Sequence, residues 1–431
     1  MSTEARALPS TVGFVSPTRR KVMGFVFLGI AAAIWLIFSR TTTPGVITTF
    51  TLNPGGSQNN FPDWVFTTLS ALNIIAGLCA LMGAYQLARG FGKSTNMVLG
   101  LVAGGFILAF LSWSAADNSL NLAGLLRSTL VRAVPITLGA LSGVLCERAG
   151  VVNIAIEGMM LASAMTAALG GSLALNWMEP PYNLWFGLVV GVLTGGLLAL
   201  VHALLSIKYK ADQIVSGTVI NIFAIGITSF ISAKYLAKYR YLNNPGIFSD
   251  WKIPGLSDIP FFGPIVFDHN VFFFGMVTFL ILLHFGLFFT RWGLRLRSVG
   301  EHPKVADTLG INVFKTRYMA VVLGGMMAGF GGSYFTLGSV GRFDEVMTAG
   351  RGFIGLAAMI FGNWKPFGSF GAGLLFGFAD MLASKLAILG VKIPSEFLLM
   401  APYVATMIVL AGVVGRGKMP AADGQPYEKE T

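Results

Sequence analysis

The residue types that perform catalysis are sparse in this sequence, and their spacing excludes most chemistry. The four histidines, His202, His269, His284 and His302, are scattered. No H-E-x-x-H places two of them on one helix face for zinc, and no G-x-S-x-G offers a nucleophile elbow. Cys79 and Cys146 fall in different apolar segments without the C-x-x-C spacing of a metal or redox site. Gly92-Lys93-Ser94 ends like a phosphate-binding loop, but that loop needs a glycine where this chain has Leu87. No catalytic, cofactor-binding or metal-binding set emerges, and an enzyme is not expected.

Polar residues stand out in two other places. Glu157 opens a long uncharged run, and a carboxylate exposed at a bilayer centre costs about 2.5–3.5 kcal/mol. It reads either as a polar contact along a solute path or as an acid at a helix N-terminus, favoured by the dipole and facing Arg148. Asn153 and Asn221 read as hydrogen-bonding partners of a polar solute or as ties between spans. Asp380 reads as a helix-end partner of Lys385. The second place is the stretch 291–317, which carries Arg291, Arg295, Arg297, Lys304, Lys315 and Arg317 against Glu301 and Asp307. Pro303 suits a first helical position and Gly310 a left-handed stop, which predicts a short helix between them. Val305, Ala306 and Leu309 would share one face of that helix and dock in a groove on another protein.

The elements that position these residues are membrane spans. With 54% hydrophobic and 11% charged residues and a mean hydropathy of +0.71, the chain is an all-α polytopic integral membrane protein. The formal charge of +11 comes from short loops between apolar stretches, which reflects topology and excludes nucleic acid as a partner. Spans are expected at 22–39, 66–88, 94–116, 158–178, 184–207, 213–233, 270–290, 318–341 and 397–415, a first span that is retained included. An interfacial amphipathic helix is expected at 118–132, and short pieces at 133–146, 352–363 and 366–379. The total is about 10–12 transmembrane or re-entrant helices. Most Lys and Arg fall on one side if both termini and the 291–317 loop are cytoplasmic. Tryptophans 64, 113, 177, 185, 292 and 364 sit at segment ends as an aromatic belt requires. The stretches from Ile156 and from Gly350 resemble each other, each placing a charge (Glu157 or Arg351) before Gly and a Leu-Ala step, as in repeated halves with interrupted helices.

Three blocks carry a resemblance: SGVLCERAGVVNIAIEGMMLASA from Ser142, RLRSVGEHPKVADTLGI from Arg295, and TAGRGFIGLAAMIFGNWKPFGSFGAGLLFG from Thr348. Together they resemble permease subunits of ABC-type importers, in the nucleoside and simple-sugar branch of the branched-chain amino acid permease group, over roughly 120–415. The resemblance implies a type II-importer-like bundle divided into a cytoplasmic tail 1–21, extra spans 22–115, a permease core 116–415 with the coupling loop 291–317, and a cytoplasmic tail 416–431. It implies that Gly300, Glu301, His302, Pro303, Val305, Ala306, Leu309 and Gly310 dock in an ATPase. It also implies that Asn153, Glu157, Asn221, Arg351 and Phe353 lie near the translocation path. The implied partners are two ATP-binding subunits, a second and different permease, an extracytoplasmic substrate-binding protein and the lipid of a prokaryotic plasma membrane. No cofactor is bound directly, ATP being used by the partners. His302 departs from the Asn of many relatives, and the early spans are additional. The function implied is nucleoside import by alternating access. A simple-sugar permease is the alternative, and an ion-coupled secondary transporter, which would need an essential buried carboxylate, is a further one.

Overall fold

The computed structural model describes residues 17–54, 61–388, 400 and 419–429. Among these, ten helices are long and apolar enough to cross a membrane. Such segments form helices because the bilayer core offers no water to backbone N–H and C=O groups, which a helix satisfies internally. Apart from Met400, the predicted span at 397–415 lies outside the described residues, as does most of the predicted tail 1–21.

The chain divides into two compact units. In the first, which runs to Gly124, α1 (Pro17–Ala33), α2 (Thr68–Ala88) and α3 (Thr95–Ser114) close around Phe27, Ile34, Leu72 and Val102. The segment 41–63 reads in sequence as a polar loop. It contributes a strand, β1 (Ile47–Thr51), which pairs antiparallel with β2 (Trp64–Thr67) and parallel with β3 (Ser119–Asn121). The Thr48 hydroxyl bonds that of Thr68 at 2.8 Å and donates to the Ser112 carbonyl at 3.0 Å. β3 joins this sheet, and the first compact unit runs to Gly124.

The second unit holds α4 (Leu122–Glu147) from Leu125 onward, α5 (Ile156–Ala174), α6 (Tyr182–Ala203), α7 (Gln213–Ile231), α8 (Phe262–Val266) and α9 (Val271–Phe289). It continues through α10 (Arg291–Glu301), α11 (Pro303–Thr308), α12 (Val313–Ser333), α13 (Arg351–Phe361) and α14 (Pro366–Ile388). A small ladder of β4 (Trp251–Lys252) on β5 (Asp268–His269) folds the long connection after α7. The central helices are α4, α5 and α12, whose apolar windows are 83% buried. They approach through small residues: a side chain on Gly332 would overlap the Met160 carbonyl, and Gly325 meets Ala199 and the Gly195 carbonyl of α6.

The sequence predicted an interfacial helix at 118–132 followed by a short piece. One 26-residue helix, α4, replaces both. Arg127 and Arg132, which made the segment look amphipathic, are half-buried and pair with Asp250 and Asp380.

Candidate functional site

The loop between α9 and α12 is built as its residues suggest. Thr290 caps α10 by accepting from the Gly293 N–H at 3.1 Å, and Asn312 caps α12 from Lys315 at 2.9 Å. Pro303 opens α11, and Gly310, at φ +78°, ends it. Val305 and Leu309 are 58% and 75% exposed, whereas Ala306 is buried against Val299, Val313 and Tyr427. The predicted shared face therefore divides. Neighbours i and i+1 lie about 100° apart on a helix of 3.6 residues per turn, and α10, α12 and a distant segment cover the Ala306 side. His302 and Gly310 are exposed beside Val305, while Gly300 faces inward.

That distant segment is the end of the chain. The Ala422 N–H donates to the Gly300 carbonyl at 2.9 Å, the Ala421 N–H to the Glu301 carboxylate at 3.2 Å, and Arg317 to the Gln425 carbonyl at 2.9 Å. Tyr427 packs on Phe314, and Glu428 pairs with Lys210, which holds its carboxyl below the ordinary range. Asp423 is buried beside Glu147, and burial pushes it up to about 6 against the opposing pull of Glu147, the Gly424 N–H and Arg317. A polar tail gives no periodic signal, and the sequence analysis did not place it here.

Behind α10 lies the turn from α4 to α5. A side chain on Gly300 would overlap the Arg148 carbonyl, so loop and turn touch backbone to backbone. Arg148 donates from Nε to the Trp364 carbonyl at 2.9 Å and from Nη2 to that of Asn363 at 3.3 Å, just past the end of α13. Burial lowers its pKa, with Glu301 opposing and Arg297 adding. The Trp364 indole donates to Glu147 at 2.5 Å. At the other end of α13, Glu157 accepts from the Thr348 hydroxyl at 2.6 Å and from the Gly350 and Gly352 N–H groups at 2.8 and 2.7 Å. A carboxylate stands at the positive end of this 11-residue helix and a guanidinium at its negative end.

Asn221 accepts from the Gly158 N–H at 2.7 Å and donates to the Ile154 carbonyl at 2.9 Å. Asn153 accepts from Ala155 and donates toward the sulfurs of Cys146 and Met159. All three of Asn153, Glu157 and Asn221 are thus occupied with protein groups, Glu157 with α13 and not with Arg148.

A cavity of about 640 Å³ opens around the first half of α4, remote from α10, a volume within the range of small-molecule sites. Its charges are paired. Asp380 accepts from Arg132 at 2.7 Å and lies 3.4 Å from Arg351, and Arg127 meets Asp250 at 2.8 Å. The predicted Asp380–Lys385 pair is replaced by these contacts. Arg351 also lies over the Phe335 ring, 5.7 Å from its centre. His269 bonds the Ile265 carbonyl, and burial lowers its pKa. Of the five predicted path residues, Arg351 lines the cavity. Asn153, Glu157 and Asn221 do not, and neither does Phe353, which is 46% exposed. Arg127, Arg132 and Tyr334, which do line it, escaped the sequence analysis, although two arginines five residues apart on an apolar helix were a usable signal.

The comparisons fit this geometry. The family described as branched-chain amino acid transport system / permease component matches residues 125–414. The guanosine ABC transporter permease NupQ of Bacillus subtilis is 42% identical over 309 residues, 70% of this chain and 95% of that protein. The nucleoside ABC transporter permease NupC of Lactococcus lactis is 41% identical over 304 residues, again 70% and 95%. TsgC13 of Haloferax volcanii, which bears a glucose permease name, is 32% identical over 72% of this chain and 98% of its own. No solved structure matches significantly. Matched over most of its length, with residues before 125 lying outside the match, the chain belongs to the branched-chain amino acid transport system permease family.

Proposed function

We propose that this protein is the transmembrane permease subunit of an ATP-driven importer of nucleosides. The observation that carries this reading is the 41–42% identity to the guanosine and nucleoside permeases over nearly their whole lengths. The cavity agrees with it. Arginines, aspartates, Tyr334 and Phe335 offer hydrogen bonds and an aromatic face, and their mutual pairing leaves little net attraction. A path that binds its solute weakly releases it quickly, provided a separate binding protein captures the solute first.

One of the two ATP-binding subunits docks on the exposed side of α11 through Val305 and Leu309, with the loop and both termini in the cytoplasm. The second permease is a different chain. Lactococcus lactis and Bacillus subtilis each hold a further nucleoside or guanosine permease, NupB or NupP, 24% identical to this one. The chain binds no cofactor, and ATP is hydrolysed by the partners. An ion-coupled transporter is disfavoured because the acid that the sequence offered for it, Glu157, spends its oxygens on the start of α13.

The test is uptake of radiolabelled nucleoside by cells expressing the chain with its partner subunits, with an active or a catalytically dead ATPase. Uptake that disappears with the dead ATPase is expected. Uptake of glucose and of no nucleoside would move the substrate to the sugar branch, and uptake indifferent to the ATPase would refute the ATP-driven mechanism.

A further inference from the structure

The α4–α5 turn touches both parts of the machinery, and its contacts have a pattern. On one side it lies against α10, with the Gly300 backbone on the Arg148 carbonyl. Arg148 and Arg297 both stand over the Phe288 ring, at 6.0 and 4.9 Å from its centre. On the other side the same turn holds both ends of α13, Glu147 and Arg148 at the far end and Glu157 at the near end. Between those residues the turn is stiffened. The Val152 N–H donates to Gln213 at 2.7 Å, and Asn221 and Asn153 fix residues 154, 155 and 158. Along its length α13 lies close on α4 and α5, since a side chain on Gly355 would press on the Ile136 carbonyl and one on Gly352 on the Glu157 backbone. The first residue of α13 is Arg351, which enters the cavity and faces Asp380.

We infer that residues 147–157 are a transmission clamp. They carry displacement of the 291–317 loop to the half-helix α13, and so to Arg351 in the cavity, with Arg148 as the positioning residue that fixes the far end of α13. This inference rests on the proposed importer function. The charge at each end suits the helix dipole, and three bonds at each end tie α13 to the turn. Arg148 is suited to the task because its planar fork reaches two carbonyls at once, which a lysine ammonium on a flexible stem does not reproduce.

The experiment uses the complete transporter, with its second permease, ATPase subunits and binding protein, in proteoliposomes. Nucleoside uptake and ATP hydrolysis are measured in the same vesicles. With Arg148→Ala, hydrolysis stimulated by loaded binding protein persists while nucleoside moved per ATP falls about tenfold, and Arg148→Lys lies between. A ratio unchanged from the parent, whether both activities fall together or both persist, overturns the inference. A second readout is independent of substrate identity. Spin labels at Leu294→Cys on α10 and Ile360→Cys on α13, both exposed positions, are introduced into the transporter with Cys79 and Cys146 replaced by alanine. Their separation stays constant on nucleotide binding in this background and changes once Arg148→Ala is added. A separation that changes without that substitution, or is constant with it, refutes the clamp. Wild-type vesicles that take up no nucleoside would refute the proposed function and leave the clamp to be decided by the distances.

Discussion

Replacing Glu157 by glutamine separates a carboxylate that holds a helix from one that carries protons. Glutamine keeps the shape but turns one acceptor oxygen into a donor. With the amide nitrogen in the place of Oε2, the Gly352 N–H, now 2.7 Å from its acceptor, faces another donor. With the amide flipped, the Gly350 N–H loses its partner at 2.8 Å, while the Thr348 hydroxyl, 2.6 Å away, can rotate to accept. Either way one buried N–H is orphaned, at about 1–3 kcal/mol, and two bonds to a charge become bonds to a neutral amide, each weaker by about 1 kcal/mol. Loss of the anion from the helix N-terminus adds about 0.5 kcal/mol. The total is about 4 kcal/mol, which for a unit of this size lowers Tm by about 6 °C. Thermal unfolding of the purified complex in lipid discs measures it, together with the pH profile of nucleoside uptake. Glu157→Gln should be markedly less stable and keep the parent's pH profile in whatever uptake survives. Undiminished stability with a displaced or abolished pH dependence would refute the capping role and restore an ion-coupled mechanism.

Three further outcomes follow from the same geometry. Leu309→Glu should weaken co-purification of the ATPase subunits by about tenfold or more, since the site is the most exposed apolar one on α11; retained association would place the docking surface elsewhere. Asp380→Asn leaves Arg132 and Arg351 to share a neutral amide oxygen in place of a carboxylate and should cost about 1–3 kcal/mol in stability, measured by thermal unfolding, along with most uptake, Asp380→Glu restoring part of both. The docked tail should respond to pH. Asp423 sits above its ordinary value of 3.8, at about 6, so its contribution to docking is complete below about 3.8 and is lost as pH rises through about 6. Glu147 and Arg317 face it and set the balance. Hydrogen exchange at 419–429 should therefore quicken with pH by more than its intrinsic rate, and Asp423→Asn should remove that excess.

Much of the fold was legible because the bilayer imposes a simple code. A run of about 20 apolar residues means a helix, and Pro303 with Gly310 bounded α11 at the residues found. Failure came where a helix carries charge. Arg127 and Arg132 suggested a helix lying on a surface, because the amphipathic pattern is the same whether the polar stripe meets a membrane surface or acids around a cavity within the protein. What distinguishes the two cases is a carboxylate partner, and those partners, Asp250 and Asp380, lie 123 and 248 positions away. The strands at 47–51 and 119–121 were missed because, at five and three residues, they are too short for a period to be read.

The same limit explains why the sequence placed Glu157 in the first turn of its helix, where it lies, but missed its bonded partners. An acid ahead of an uncharged run signals that something must compensate it, and the dipole of its own helix α5 was the partner in view. The hydrogen bonds come from the start of α13, whose first N–H groups have no intrahelical acceptor and lie 193 and 195 residues further on. The likeness between the stretches from Ile156 and Gly350, read as a trace of repetition, brings together the two helix beginnings that this carboxylate joins. Arg148, the supposed partner of Glu157, serves the opposite end of the same helix. An apolar bundle that retains two such charges at fixed places on one 11-residue helix holds that helix in a defined position. A hydrogen-bonded route from the 291–317 loop to the cavity then runs through α13, beside the covalent one through α12.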